Sequence, residues 1–300
     1  IRLPTYDISK VSEETVKHPQ WVHIGPGNIF RGFVAALAQD LLDKKESSTG
    51  ITVISTFDHE VFDKIYVPFE NLALQVQMHG SGELEKAVIG SIGEAVKTDE
   101  LNPEGWDRAR IIFEDPNLQI VSFTITEKGY QIRDINGDFQ PAIQADFSIH
   151  PLNAYPKMTM SIVAALLYSR FKAGAYPIAL VSMDNFSHNG DKLKESVTTI
   201  ANKWVENQLV EPEFLTYLTG EKVSFPWSMI DKITPRPDEQ VSKHLNAIGF
   251  ADTEIVITQF RTYIAPFVNA EAAQYLVIEN DFPNGRPNFE SIGVYITDRP

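Results

Sequence analysis

The chain of 300 residues contains no cysteine, and this absence removes several kinds of site at once. Disulfides cannot form, and neither zinc nor an iron–sulfur cluster can be held by thiolates. The histidines are scattered and do not form the H-E-x-x-H or H-x-E patterns in which metal ligands recur. A G-x-S-x-G nucleophile motif is also missing, which argues against hydrolysis. We therefore predict a protein without a metal site.

Long apolar runs and an excess of positive charge are missing as well. No stretch approaches the ~18 apolar residues of a membrane-spanning helix. The chain does not open with a basic segment followed by an apolar one, so the sequence predicts a cytoplasmic protein rather than a secreted one. Acidic residues (40) outnumber basic residues (26), for a net charge of -14. Such a surface repels phosphate backbones and anionic lipid, which disfavours nucleic acid and membranes as partners.

Short apolar runs instead alternate with amphipathic stretches. Residues 21–24 and 51–57 have the composition of buried strands, and residues 33–42 between them have that of a helix. This order is the βαβ unit of a parallel sheet. The same alternation continues with helices predicted over 103–113 and 158–174 and strands over 118–126 and 176–185.

Two regions favour antiparallel strands. A hairpin is predicted around Gly80-Ser81-Gly82, and further strands within 254–266 and 274–281. The Pro-rich stretch 207–240 is predicted to be a loop. The fold class that follows is α/β: a Rossmann-like, doubly wound, mainly parallel sheet with additional antiparallel strands. We expect residues 1–300 to form one such domain with insertions.

The turn Gly25-Pro26-Gly27 lies between the first predicted strand and its helix. Gly25 permits a tight turn, Gly27 lets the backbone approach a pyrophosphate, and the helix offers free N–H groups. Phe30 stands where the usual G-x-G-x-x-G fingerprint has its third glycine. The motif alone is therefore equally compatible with a structural turn. Its position between strand and helix favours a dinucleotide site.

The candidate cofactor-binding residues continue into the helix with Asn28, Ile29, Phe30 and Arg31. Arg31 could offer its guanidinium to a phosphate or be a solvated residue of the first helical turn. His23, in the preceding strand, is predicted to be a hydrogen-bonded core histidine.

Asp58 follows the second predicted strand, where an acid can accept hydrogen bonds from ribose hydroxyls and repel a 2′-phosphate. This position predicts NAD, with NADP less favoured. The alternative is a turn residue at the end of a strand. Thr126 and Glu127 end another predicted strand and are further candidates for cofactor contact, although solvated charge at a strand end is equally compatible.

Two later residues are candidates for catalysis. Asn185 follows a strand at the edge of the sheet where ligands bind in α/β folds, and its carboxamide could stabilise a developing alkoxide. A loop residue of the Asx-turn type is the alternative. Asp231 lies among apolar residues before a Pro-rich segment, and could equally cap a loop or pair with Lys232 or Arg236.

Five motifs occur in order: HIGPGNIFRG, VSFTITEKGY, VSMDNFSHNG, FPWSMIDKITP and YLVIENDFPNGRP. Together they resemble the polyol-specific long-chain dehydrogenases, which include mannitol 2-dehydrogenase, fructuronate reductase and tagaturonate reductase. The resemblance runs from about Trp21 to the end of the chain. It implies a zinc-independent, NAD(P)-dependent oxidoreductase acting on a sugar alcohol or a keto-sugar acid. It also implies catalytic roles near the nicotinamide for Asn185 and Asp231.

The resemblance further implies a second, largely helical domain that opens with a catalytic lysine in a K-x-x-x-x-N-x-x-H signature. Lys222, Lys232 and Lys243 are not followed by the Asn and His of that signature. We therefore expect the helical domain to be absent from residues 1–300 and this chain alone to be inactive. The alternative function is a non-catalytic NAD-binding module or sensor. The sequence does not predict an oligomeric state.

Overall fold

The computed structural model describes residues 1–298. The predicted domain 1–300 also includes Arg299 and Pro300, which lie outside the described residues. The helices of the described part are α1 (Ile8–Lys17), α2 (Ala35–Asp43), α3 (Pro103–Glu114), α4 (Thr126–Gly129), α5 (Pro141–Asp146), α6 (Thr159–Gly174), α7 (Asn189–Glu206), α8 (Pro212–Thr219) and α9 (Glu239–Ala247). Its strands are β1 (Trp21–Ile24), β2 (Ile51–Ser55), β3 (Ala73–Met78), β4 (Leu84–Ile89), β5 (Ile92–Lys97), β6 (Ile120–Phe123), β7 (Ile178–Ser182), β8 (Val223–Ser224), β9 (Ser228–Asp231), β10 (Val256–Ile257), β11 (Tyr263–Ile264), β12 (Phe267–Glu271), β13 (Tyr275–Glu279) and β14 (Tyr295–Thr297).

Six strands form one parallel sheet in the order β5-β2-β1-β6-β7-β8. Numbered within this sheet, the order is 3-2-1-4-5-6, the arrangement of the doubly wound Rossmann fold. The Rossmann-like prediction is therefore confirmed. The strand order reverses between β1 and β6, and this switch point opens a crevice at the carboxyl ends of the two strands.

Both faces of this sheet are buried, which explains the continuous apolar runs in its strands. Alternate residues of β1 enter different cores: Val22 packs with helices α3, α6, α7 and α8, whereas Trp21 packs with α2 and the smaller sheets. Every residue of β1, β2, β6 and β7 is buried. The central strands therefore form a rigid support for whatever their carboxyl ends hold. No helix in residues 1–298 is long and apolar enough to cross a bilayer.

Three smaller sheets pack beside the main one, in the strand orders β12-β3-β4, β14-β13-β9 and β10-β11. The predicted hairpin around Gly80-Ser81-Gly82 is the antiparallel pair of β3 and β4. The strands predicted within 254–266 and 274–281 are β10, β11 and β13. The additional antiparallel strands of the predicted fold class are thus confirmed, although β12 and β14 pair in parallel with β3 and β13.

The prediction of a loop over 207–240 was wrong. This stretch contains α8, β8, β9 and the start of α9. Pro212 occupies the first turn of α8, where its missing N–H is harmless, so a proline begins this helix instead of breaking it. β9 pairs with β13, more than 40 residues later in the chain, and proline content cannot reveal such long-range pairing. The strand predicted over 118–126 also ends earlier, at Phe123.

His23 is fully buried in β1, as predicted for a core histidine. Its Nδ1 lies 2.7 Å from Ser122 Oγ and its Nε2 lies 2.8 Å from Thr124 Oγ1, so both ring nitrogens are hydrogen-bonded to β6 and the residue after it. Burial lowers the pKa of His23 to about 3. The neutral ring therefore links β1 to β6 directly below the glycine turn.

Replacing His23 by asparagine should flatten the pH dependence of stability between pH 6.5 and about pH 4. Below pH 6.5 His23 binds a proton in the unfolded chain but stays neutral in the native chain. This group therefore lowers the free energy of unfolding of the wild-type protein by up to about 1.4 kcal/mol for each pH unit. Urea unfolding at several pH values measures the slope. The same substitution at His18, which is exposed at the end of α1, provides the control. Equal slopes for wild type and the His23 variant would contradict the assignment.

Candidate functional site

Glycine occupies the two positions of the turn after β1 for different physical reasons. Gly25 has a φ of +117°, and a Cβ there would lie 2.2 Å from the carbonyl oxygen of Thr124. Packing therefore requires a glycine at this position. A Cβ on Gly27 would meet no atom of residues 1–298 within 4 Å, and the φ of Gly27 is not in the left-handed region. Protein packing does not explain Gly27, and the open space beside it is available to a ligand.

A helix begins directly after this turn, at Asn28, and continues through a π-helical turn (Phe30–Val34) into α2. The first N–H groups of a helix have no intrahelical partner, and the aligned peptide dipoles make this end positive. The open space at Gly27 therefore faces a helix end that attracts anions. The order of strand, glycine turn and helix is present, and pyrophosphate binding by it stays a prediction.

The side chains of the first helical turn point into the protein. Phe30 is fully buried and stacks on His23 with ring centroids 4.4 Å apart. Asn28 donates from Nδ2 to the carbonyl oxygen of Tyr263 at 2.8 Å. Ile29 is half-buried. Apart from Asn28 Oδ1, which has no hydrogen-bond partner in the described part of the chain, the backbone is the part of this turn that remains for a ligand.

Arg31 is 1% exposed, so the interpretation as a solvated residue was wrong. Its Nη2 donates to the carbonyl oxygen of Pro266 at 3.2 Å, and burial lowers its pKa. Nη1 is buried and has no hydrogen-bond partner among the described residues. Arg31 thus carries a buried positive charge next to the first turn of the helix, and part of its hydrogen-bonding capacity is unused.

A cavity of about 500 Å³ lies at the switch point of the sheet. The loops after β1, β2 and β6 and the start of α6 surround it. It brings together four of the predicted residues: Gly25, Gly27, Asp58 and Thr126. The sequence analysis missed two lysines that also line it, Lys128 and Lys157. Glu127, which is exposed, is not among its lining residues.

Asp58 is buried at the end of β2 and has a φ of +53°, a strained conformation for a residue with a Cβ. Its Oδ2 accepts hydrogen bonds from the hydroxyls of Thr258, at 2.7 Å, and Thr262. Its Oδ1 is buried and accepts no hydrogen bond from the described residues. An unpaired buried acceptor costs about 1–3 kcal/mol, so this oxygen is suited to a donor that a ligand supplies.

A second cavity, of about 820 Å³, lies beyond Asp58. It shares Thr56, Phe57, Asp58 and Lys157 with the first one. The two cavities therefore form one continuous crevice, with Asp58 at their junction. The crevice follows the carboxyl ends of β1, β2 and β5, where an adenosine would extend in a Rossmann fold.

Asp184, which the sequence analysis missed, holds the loop after β6 in place. Its carboxylate accepts hydrogen bonds from the N–H groups of Ile125 and Thr126, at 2.9 and 3.0 Å, and from the Tyr130 hydroxyl at 2.7 Å. Burial raises its pKa, while these hydrogen bonds favour the ionised form. Thr126, with a φ of +63°, is thus fixed at the cavity by a carboxylate from the loop after the neighbouring strand β7. The signal in the sequence was an acid directly after a buried strand.

Asn185 and Asp231 lie outside this cavity. Both residues are exposed. Asn185 lines a separate cleft of about 240 Å³ together with Trp227 and Ser228. Within residues 1–298, the two predicted catalytic residues therefore do not line the cavity at the switch point.

Neither of the predicted ion pairs of Asp231 forms in the described part of the chain. Lys232 donates from Nζ to the carbonyl oxygen of Glu271 at 2.5 Å, and the Arg236 guanidinium lies over the Tyr263 ring. At the end of β9, Asp231 is paired in register with Tyr275. Its carboxylate therefore remains at the surface of the three-stranded sheet.

The sheet order, the glycine turn at the switch point and the acid after the second strand define the chain as a Rossmann-like α/β protein. The sequence profile of the family described as the mannitol dehydrogenase Rossmann domain matches residues 19–291. The chain belongs to this family, and the resemblance seen in the five motifs is confirmed.

Three relatives illustrate the match. The D-mannonate oxidoreductase of Thermotoga maritima is 51% identical over 301 residues, which cover 100% of this chain and 55% of the relative. The polyol:NADP oxidoreductase of Gluconobacter oxydans is 27% identical over 99% of this chain and 56% of its own. The structure of Pseudomonas fluorescens mannitol 2-dehydrogenase in a ternary complex with NAD and D-mannitol superposes with a TM-score of 0.79 at 27% identity, covering 99% of this chain and 55% of that one. The chain thus spans about half the length of these relatives.

The two glycines should respond differently to the same substitution. Gly25→Ala places a Cβ against the Thr124 carbonyl at a positive φ, and should lower the free energy of unfolding by at least about 1–3 kcal/mol. Gly27→Ala should change it by less than about 0.5 kcal/mol, because the added methyl group meets no protein atom. Denaturant unfolding of both variants measures the difference. Equal losses would contradict the assignment of Gly27 to open space.

Proposed function

We propose that this chain is the cofactor-binding part of an NAD-dependent oxidoreductase of the mannonate or mannitol type. The observation that carries the proposal is the crevice at the switch point, which is lined both by Gly27, with open space beside it, and by Asp58, whose Oδ1 accepts no hydrogen bond from the described residues. The 51% identity with a D-mannonate oxidoreductase favours a keto-sugar acid, of the fructuronate type, and its sugar acid alcohol as the substrate pair. Bound NAD would supply the hydride acceptor for a secondary alcohol.

The residues of the crevice fit such a cofactor. The backbone at Gly27 and the first N–H groups of the following helix would hold the pyrophosphate. Asp58 Oδ1 would accept hydrogen bonds from the adenosine ribose. Lys128 and Lys157 line the same cavity and add positive charge near an anionic ligand, although the protein as a whole is strongly acidic.

Lys128 and Lys157 are assigned here to the charge of the cofactor, so proton transfer would be carried by a further group. Asn185 would stabilise the substrate oxygen, and Asp231 would contribute to the site from the neighbouring sheet, if further protein closes over their exposed positions. A lysine from a second, helical domain would transfer the hydroxyl proton; burial beside a cationic ring would bring its pKa towards neutrality. Residues 1–300 would bind the cofactor and leave substrate orientation and proton transfer to that domain.

Preference for NAD over NADP, independence of zinc and location in the cytoplasm remain predictions from the sequence. Asp58 supports the first, because a carboxylate beside a 2′-phosphate is electrostatically unfavourable. The relative named polyol:NADP oxidoreductase makes cofactor choice an experimental question within this family.

Gly27→Val should abolish NADH binding while the protein stays folded, because the side chain would fill the space of the phosphate oxygens. Calorimetric titration of wild type and variant measures this. Gly80→Val is a matched control, since Gly80 is also surrounded by open space but lies in the turn between β3 and β4. Unchanged NADH affinity of the folded Gly27 variant would refute the pyrophosphate site.

Residues 1–300 alone should bind NADH and show no detectable reduction of fructuronate, tagaturonate or fructose. General acid–base assistance contributes about 10²–10⁴-fold, and substrate positioning contributes further orders of magnitude. The loss of absorbance at 340 nm should be compared with that of the natural protein carrying any sequence that follows residue 300. Comparable turnover would show that the proton-transfer group lies within residues 1–300. NADH binding without turnover in both proteins would favour the sensor.

A further inference from the structure

The hairpin formed by β10 and β11 docks on the loop that follows β2. The N–H of Gln259 donates to Glu60 Oε2 at 2.9 Å. The rings of Phe260 and Phe57, both half exposed, lie 4.3 Å apart between centroids. About 200 residues separate these two segments in the chain. The hairpin therefore forms one wall of the crevice, although no motif of the Rossmann core predicts it.

The tip of this hairpin holds the carboxylate of Asp58 through two hydroxyls. Thr258 and Thr262 both donate to Asp58 Oδ2. The N–H of Thr262 donates to Thr258 Oγ1 at 3.1 Å, which leaves the Thr258 hydroxyl proton to point at Asp58. One carboxylate oxygen is thereby occupied, and the other, Oδ1, is left for a ligand.

The partners of Asp58 are neutral. Within residues 1–298, no lysine, arginine or histidine forms an ion pair with it. The two hydroxyls fix the side chain without compensating its charge. A carboxylate held in this way keeps its net negative charge, which repels a phosphate group, and keeps Oδ1 as an acceptor for a hydroxyl.

We infer that Thr258 and Thr262 are positioning residues that hold Asp58 with Oδ1 towards the ribose hydroxyls of NAD, and that they thereby set the preference for NAD over NADP. This inference rests on the proposed function, since it assigns the crevice to a dinucleotide. It attributes the selectivity for NAD over NADP to Asp58 together with the hairpin that holds this residue. The threonines act through Asp58, so their effect should depend on that carboxylate.

The test is the ratio of the dissociation constants of NADPH and NADH, measured by calorimetry on the full natural chain. Thr258→Val and Thr262→Val, alone and together, remove the hydroxyls and keep the shape of the side chains. The double variant should bind NADH about tenfold more weakly, with less than about threefold change for NADPH, so that the ratio falls. The two serine variants keep a hydroxyl and should stay within about threefold of wild type for both cofactors.

Two controls separate positioning from general destabilisation. Thr253→Val removes another buried hydroxyl that precedes the hairpin, one that accepts from Ser242 instead of donating to Asp58, so the ratio should not change. In an Asp58→Ser background the ratio should be near its lowered value already, and the valine substitutions should change it no further. If the double variant fails to fold, the single variants decide, each with a smaller fall in the ratio.

The outcomes distinguish this inference from the proposed function. Failure of the wild-type protein to bind either cofactor would refute the proposed function itself. Binding of NADH, a ratio lowered by Asp58→Ser and a ratio unaffected by the valine variants would overturn the positioning role alone. An unchanged ratio in Asp58→Ser would show that Asp58 does not read the ribose, and would overturn the inference with it.

Discussion

The backbone contact between the end of β1 and the residue after β6 determines the shape of the crevice. The Thr124 N–H donates to the Ile24 carbonyl at 3.0 Å, and the Thr124 carbonyl lies so close to Gly25 that only a glycine fits. Directly below, His23 binds Ser122 and Thr124 through both ring nitrogens. This polar seam joins the two strands at the point where the sheet order reverses. A looser junction would shift the helix end at Asn28 relative to the loop that carries Thr126.

Around this rigid junction, residues that line the crevice are fixed by hydrogen bonds to other parts of the chain. Asp184, which follows β7, accepts a hydrogen bond from the backbone N–H of Thr126. The hairpin residue Thr258, 200 residues along the chain, donates a hydrogen bond to Asp58. Thr126 and Asp58 both have a positive φ, and in each case a hydrogen bond from another segment holds the residue. Strain of this kind persists only where the surrounding structure fixes it, and these hydrogen bonds do so at Asp58 and Thr126.

The parts of the fold that the sequence predicted are those with local signals. The βαβ unit at the start of the core, the hairpin around Gly80-Ser81-Gly82 and the glycine turn each depend on residues close together in the chain. Asp58 was predicted because it directly follows a buried strand. Thr258 and Thr262 could not be predicted in the same way, since their role depends on a hairpin that packs on the distant loop after β2. In the sequence, two threonines in a β-branched stretch indicate only a strand.

Asn185 and Asp231 lie outside the crevice and are exposed. This separation suggests that cofactor binding and catalysis would be carried by different parts of the protein. The walls of the crevice come from strand ends of one rigid sheet and from the docked hairpin, and Asp58 Oδ1 accepts no hydrogen bond from the described residues. Asn185 and Asp231, in contrast, are exposed. An alkoxide is stabilised effectively only where water is excluded, because the local dielectric then strengthens each hydrogen bond. In the function proposed above, cofactor recognition would therefore belong to this domain, and catalysis at Asn185 would require a further surface to cover it.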